Sequence, residues 1–139
     1  CLIYGPGGKI NDERVINQVI VRGIKNKNID VFGGLDQLRS NLYTSDAINM
    51  IIKALTKKKN QTFNLSNHKK STLGKIFKQI GKLLKKKLIY HKSKMYGAPK
   101  IIDISNRRIL KTTKYKISTK IEEGLSKTLQ WYQSLISIN

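Results

Sequence analysis

Hydrophobic residues along the chain switch between the two-residue spacing of strands and the longer spacing of helices. Short apolar runs that end at turn residues, or that alternate with polar residues, predict strands. The predicted strands are residues 2–4, 29–32, 42–44, 61–66 and 88–91. Glycine-rich turns at residues 5–8 and 33–34 end the first two of them.

Helices are predicted where apolar residues recur every three or four positions. They cover about residues 13–26, 46–57 and 71–84, a short segment that ends near Thr112, and the C-terminal segment. Residues suited to cap them are Asn11 or Asp12, Thr44 or Ser45, Ser71 or Thr72, Asp103 or Ser105, and a capping box at residues 119–122. Strands that alternate with helices predict an α/β protein with parallel or mixed pairing.

The composition is that of one folded domain with an unusual charge. A formal net charge of +20 on 139 residues is typical of proteins that bind nucleic acid or an anionic surface. Lys, Ile and Asn together make up 54 of the residues, however, and a general compositional bias of this kind also produces a basic surface. No stretch approaches the roughly 20 apolar residues that span a bilayer, so no membrane partner is expected.

Few residues are arranged as a catalytic or metal site. His68 and His91 lie far apart and Cys1 is isolated, so no metal site is predicted. Arg39 is the best binding candidate, because a planar guanidinium after a glycine turn can donate two hydrogen bonds to a diphosphate. The alternative is a surface arginine that pairs with Asp36 or Asp46.

Five stretches, taken in order, resemble the C-terminal half of the extended short-chain dehydrogenase/reductase family, the NAD-dependent epimerases and dehydratases of nucleotide sugars. They are residues 3–7, 31–39 continuing through 42–47, 62–66 with 71–73, 99–105 and 119–132. The second is similar to the family's Val-Tyr-Gly-x-Gly-x-Gln-x-Arg-Asp-Phe-Val-Tyr-Val-x-Asp-Val segment. The last is similar to its Ser-Leu-Glu-Glu-Gly-Leu-x-x-Thr-x-x-Trp-Tyr helix.

The resemblance implies the C-terminal part of a Rossmann-type fold, with residues 1–139 as the substrate-binding half. It also implies that Arg39 contacts the diphosphate of a UDP-, dTDP- or GDP-sugar. Lys94 is the candidate for a second basic contact, and Asn17, which stands where the family has a helix proline, is the third substrate-binding candidate. A complete enzyme of this kind would bind NAD, form a homodimer and act in the cytoplasm.

Two family motifs have no counterpart in the chain. These are the Gly-x-x-Gly-x-x-Gly turn that binds NAD and the Tyr-x-x-x-Lys pair that performs acid/base chemistry. We therefore expect no cofactor binding and no catalytic residue in this segment, which would be a fragment, a split subunit that needs an N-terminal half, or a remnant, inactive alone. Leu2 and Ser40 also replace family residues, an asparagine and an aspartate.

The residues also leave two other functions open. The first is a small basic nucleic-acid-binding module that uses residues 57–59, 85–87 and 107–108 as phosphate contacts. The second is an inactive partner that dimerises through its last helix. The base, the sugar and the choice between epimerisation, dehydration and decarboxylation are not fixed by these residues.

Overall fold

The structure is a computed structural model that describes residues 2–57, 60–92 and 99–138. The strands in these ranges are β1 (Leu2–Tyr4), β2 (Ile29–Phe32), β3 (Leu38–Tyr43), β4 (Lys70–Thr72) and β5 (Leu88–His91). The helices are α1 (Val15–Lys25), α2 (Thr44–Leu55), α3 (Leu73–Leu84), α4 (Arg107–Thr113) and α5 (Ile121–Ile138). The predicted α/β class is confirmed.

The strands form two small sheets with mixed pairing. In the first, β3 lies between β1, which runs parallel to it, and β4, which runs antiparallel. Tyr4 lies opposite Tyr43, and Arg39 lies opposite Ser71. In the second sheet, β2 and β5 are parallel. Parallel neighbours need crossovers, and α1 and α3 lie in the connections that provide them.

The hydrophobic core lies on both faces of β3, because successive residues of a strand point to opposite sides. Tyr43 packs in the larger cluster with residues from α1, α3 and α5. Leu42 packs in the smaller cluster with Met50 of α2 and Ile109 of α4. Burying one such aliphatic side chain stabilises the fold by about 1.5 to 3 kcal/mol, so both clusters contribute.

The strand predicted at residues 61–66 is absent from the described structure, and that prediction is wrong. Its backbone is held by side chains instead of a strand ladder. Ser40 Oγ donates to the carbonyl of Asn67 and accepts from its N–H. Asn106 Nδ2 donates to the carbonyl of Ser66, whose hydroxyl donates to Ile104. These bonds hold the C-terminal end of the segment, and the residue that follows it, without a strand ladder.

Two boundaries differ from the predicted ones, and one predicted cap is confirmed. Strand β3 begins four residues before the predicted residue 42, because pairing with β4 extends it to Leu38. Helix α1 begins after Arg14, whose N–H donates to Asp12 Oδ1 at 2.9 Å, so Asp12 acts one turn before the helix. The predicted cap of α3 is confirmed, since Thr72 Oγ1 accepts from the N–H of Lys75.

Asp46 joins α2 to the segment that leads into α5. The residue is buried, and its carboxylate accepts hydrogen bonds from the Tyr115 hydroxyl at 2.6 Å and from the N–H groups of Ser118 and Thr119 at 3.2 Å. Burial by itself raises the pKa of Asp46, but these hydrogen bonds outweigh it and the pKa is lowered. The charged form of Asp46 therefore stabilises the folded state.

We expect Asp46→Asn to lower the free energy of unfolding by about 2 kcal/mol at neutral pH, because three donors lose a charged acceptor. A carboxyl with a lowered folded pKa stabilises the fold above its unfolded pKa of about 4, and this contribution is lost as the pH falls through the folded value. Urea denaturation should show the gap between Asp46→Asn and wild type closing below about pH 4.

The matched control is Asp103→Asn, which removes an exposed carboxylate paired with Lys70. Its effect should stay within about 1 kcal/mol. A gap for Asp46→Asn that is the same in acid and at neutral pH would contradict the role assigned to the charge.

Candidate functional site

Arg39 lies in β3 and is only 7% exposed. Its Nη1 donates to the carbonyls of Leu38 at 2.9 Å and Lys100 at 3.3 Å. Its Nη2 donates to Gln37 Oε1 at 2.5 Å and to the carbonyl of Pro99 at 2.9 Å. The guanidinium is therefore held from two sides, by its own strand and by the segment that begins at Pro99.

The acceptors around Arg39 are all neutral oxygens. Asp36 instead pairs with Lys100 at 3.5 Å, and Asp46 binds the segment before α5. The alternative of a surface arginine paired with Asp36 or Asp46 is therefore wrong. Residues outside the described ranges include no aspartate or glutamate. The two Nη atoms thus make four hydrogen bonds to neutral oxygens, and the charge of Arg39 has no carboxylate partner.

An exposed aromatic group lies at the end of β2, seven residues before Arg39. Phe32 is 52% exposed and stacks on the His91 ring, with 4.8 Å between the ring centroids and 17° between the planes. The Arg22 guanidinium lies 5.6 Å from the centroid of the Phe32 ring. A flat, partly exposed ring suits stacking with a planar ligand such as a nucleobase. The sequence carried one signal for it, an aromatic residue immediately before the glycine turn.

Asn17 contacts a different group of residues from Arg39. It is fully buried in α1, near Gly8 and Asp12. Hydrogen bonds from Arg14 hold the pKa of Asp12 well below its usual range, and the nearby Asn17 amide contributes in the same direction. Neither amide atom of Asn17 makes a hydrogen bond of ordinary geometry with a described residue.

The substrate-binding roles of Arg39, Asn17 and Lys94 therefore stay predictions. Arg39 is a buried cation without a carboxylate partner, whereas Asn17 has no exposed surface through which to touch a ligand. Lys94 lies outside the described residues.

The basic runs of the sequence have separate environments. Lys86 Nζ donates to the carbonyls of Gly23, Ile24 and Asn26 at the C-terminal end of α1. This position matches the preference of cations for the negative end of a helix.

The described helices include none that is long and apolar enough to cross a membrane. No three His, Cys, Asp or Glu residues cluster as a metal site in the part of the chain that the structure describes.

A second basic group surrounds an open cavity of about 430 Å³ at the start of α4. It is lined by Arg107, Arg108 and Lys111, together with Thr62, Asn64 and Ser105. Arg108 Nη1 donates to the carbonyl of Thr62 at 3.3 Å. These are the exposed cations that the nucleic-acid reading needs.

Comparison of this sequence with known proteins finds the following similarities. A sequence model of the NAD dependent epimerase/dehydratase family matches residues 1–66. UDP-glucuronic acid decarboxylase 1 of Danio rerio is 26% identical over 135 residues, which is 93% of this chain and 31% of that protein. The Xenopus tropicalis protein of the same name is 24% identical over 136 residues, 94% of this chain and 31% of that protein. The chain thus spans under a third of these relatives.

Solved structures show the same fold. UDP-glucuronic acid 4-epimerase from Bacillus cereus, in complex with a UDP-sugar analogue and NAD, superposes with a TM-score of 0.84 at 20% identity over 96% of this chain and 43% of that one. UDP-glucose 4-epimerase from Thermotoga maritima, with UDP-glucose, gives 0.85 at 20% identity over 97% and 44%. The predicted Rossmann-type fold and the resemblance to epimerases and dehydratases are both confirmed.

We expect Asn17→Leu to raise the free energy of unfolding by about 1 to 2 kcal/mol. Its amide is buried without an ordinary hydrogen bond, and an apolar side chain of similar size removes that cost. Urea denaturation measures the change. Asn17→Asp is the matched control and should be destabilising, because it buries a second carboxylate beside Asp12. A clear loss of stability in Asn17→Leu would show that the amide is bonded in solution.

Proposed function

We propose that this chain, which is similar to the NAD dependent epimerase/dehydratase family over residues 1–66, is the nucleotide-sugar-binding portion of an NAD-dependent sugar epimerase or dehydratase. The observation that carries the proposal is the buried guanidinium of Arg39, held by neutral oxygens and not paired with a carboxylate. A diphosphate supplies the missing negative charge. At about 4 Å and an effective dielectric constant of about 20, each unit of charge contributes roughly 4 kcal/mol of attraction before desolvation.

The neutral oxygens around Arg39 explain why an arginine suits this role. They fix the plane of the guanidinium without neutralising it, so its field is available to a ligand and little side-chain entropy is lost on binding. A lysine ammonium also has three N–H donors, but it lacks the fixed plane that lets a guanidinium keep one orientation between its strand and the segment at Pro99.

The ring of Phe32 supports the same proposal. The ring is 52% exposed although it stacks on His91 and has the Arg22 guanidinium over it, and we assign it to stacking with the base of a nucleotide. Stacking of this kind contributes about 1 to 3 kcal/mol for each base. Stacking accepts any base, so Phe32 does not select among UDP-, dTDP- and GDP-sugars.

Cofactor binding and catalysis are assigned to polypeptide outside these residues. NAD would be bound by a nucleotide-binding half, in the same chain or in a separate subunit, and would accept and return the hydride of the sugar. The 139 residues would supply substrate binding alone and would be inactive without that half. A homodimer of the complete enzyme and a cytoplasmic location belong to the same proposal.

Two further residues have smaller roles in the proposed function. Lys94 is the candidate for a second phosphate contact, on the segment that precedes Pro99. Asn17 would act indirectly, by packing the start of α1 against Gly8 and Asp12 in the loop after β1.

The test is an NMR titration of the ¹⁵N-labelled chain with UDP-glucose, dTDP-glucose and GDP-mannose, which detects weak binding. We expect shifts in Phe32, Gly33 and Arg39. Arg39→Met should weaken the affinity by about 1.5 to 3 kcal/mol, the contribution of a charged hydrogen bond. Lys100→Met removes an exposed neighbouring cation and should change the affinity little.

Equal affinity in Arg39→Met and wild type would refute the role of Arg39. Absence of binding for all three nucleotide sugars would refute the proposal as a whole. A urea denaturation of Arg39→Met, run in parallel, separates lost binding from lost folding.

The nucleic-acid-binding module is kept as a second candidate because Arg107, Arg108 and Lys111 line one cavity. Lys86 argues against it, since that cation is already bound to the end of α1. We expect duplex DNA, followed by fluorescence anisotropy, to bind at about 50 mM salt and to be released by about 200 mM, as for non-specific charge attraction. Tight binding that persists at the higher salt would instead favour this candidate.

A further inference from the structure

Helix α2 carries more apolar surface than its contacts in this fold use. Its buried residues Ala47 and Met50 pack in the smaller core cluster with Leu42 and Ile109. Four further aliphatic residues of the same helix are between 44% and 77% exposed, and we call them the α2 stripe: Ile48, Ile51, Ile52 and Leu55. A contiguous exposed apolar surface of this kind marks an interaction site in soluble proteins.

The spacing of these residues places the α2 stripe on one side of the helix. They occupy positions i, i+3, i+4 and i+7, which lie one above another. With 3.6 residues per turn, the apolar residues of α2 from Met50 round to Ile52 span an arc of about 200°. The apolar stripe of a surface helix is about 100° wide. Helix α2 therefore has the composition of a helix packed on two sides, and the described residues cover one of them.

The α2 stripe continues into a groove of about 390 Å³. The groove is lined by residues of the helix and of the segment at 60–65, and all but Asn60 and Gln61 are apolar: Ile51, Ala54, Leu55, Phe63, Leu65 and Ile109. Strand β1 lies at the edge of its sheet nearby, and its Ile3 packs against the smaller core cluster. The cluster is therefore open on the side of the stripe in the part of the chain that the structure describes.

The amount of polypeptide outside these residues indicates what covers the stripe. The Bacillus cereus epimerase superposes over 43% of its chain, so the same fold there includes more than this length again. The proposed function assigns cofactor binding to polypeptide of that kind. A second copy of this chain is a poorer occupant, because it would bring a net charge of +20 against another +20.

We propose that the α2 stripe and its groove are the surface on which the nucleotide-binding half packs, in the same polypeptide or in a separate subunit. This inference rests on the proposed function, which supplies the occupant. The stripe contains no charged side chain. A charge placed against it would lose hydration without gaining a partner, so the facing surface of the other half is aliphatic or aromatic.

The test is photo-cross-linking of the protein in its own cells, where any partner is present. Ile52→p-benzoylphenylalanine places the cross-linker in the stripe, and mass spectrometry identifies the linked peptide. We expect a link to polypeptide that carries the Gly-x-x-Gly-x-x-Gly turn, within the same chain or in another. The same cross-linker at Lys78, an exposed residue of α3, should give no such link.

A double variant measures the contribution of the stripe itself. Ile48→Lys combined with Leu55→Lys should lower the yield of the link at least about tenfold, because two charges would lose hydration in the contact. Leu83→Lys makes the same change at an exposed leucine of α3 and should leave the yield unchanged. The double variant should stay folded in urea denaturation of the 139 residues, since both side chains are exposed. If it unfolds, the peptide linked to position 52 still decides.

Other products overturn the proposal. A link between two copies would make the stripe a homodimer interface, and a link to lipid would make it a membrane contact. A linked protein without the Gly-x-x-Gly-x-x-Gly turn would assign the stripe to a different partner. As a positive control, the cross-linker at Trp131 should link to the loop at Gly8, whose carbonyl accepts from the indole at 3.4 Å. No link from position 52 when this control succeeds would mean that the stripe stays exposed.

The docking surface and the nucleotide-sugar site can fail independently. Cross-linking reports on α2, whereas the NMR titration reports on Arg39 and Phe32. A link to the nucleotide-binding half without any nucleotide-sugar binding would leave the docking surface in place and refute the binding role. Nucleotide-sugar binding without the expected link would do the reverse.

Discussion

Strand β3 is paired on both edges and buried over most of its length, and this constraint gives each of its residues one environment. Tyr43 can only enter the larger core cluster, and Leu42 can only enter the smaller one. Arg39 is buried by the same constraint, which is why its charge meets fixed carbonyl oxygens and not water. A register shift of one residue would exchange the two faces and place the guanidinium among apolar side chains.

Side-chain hydrogen bonds complete the fold where strands are short. Ser40 replaces an aspartate of the family segment, and its hydroxyl both donates to and accepts from the backbone of Asn67. An aspartate could accept but could not donate when ionised. The substitution therefore suits the irregular path of residues 61–66, which run beside the sheet without joining it.

The sequence predicted the helices and four of the five described strands because their apolar spacing is a local property. It also singled out Arg39, through the glycine turn and the family resemblance. It could not predict that Arg39 would bind the carbonyls of Pro99 and Lys100 instead of Asp46, because those carbonyls belong to a segment far away in the sequence.

The effect of the large positive charge depends on where each cation lies in the fold. Lys86 is used to satisfy the carbonyl groups that end α1, so its charge stabilises the fold and is not offered to a partner. Arg39 is surrounded by oxygens as well, yet it lies within a buried strand where water cannot screen it. Screening makes exposed cations weak and interchangeable, whereas burial makes one cation strong and specific. For this reason, a net charge of +20 says less about ligands than the burial of one guanidinium.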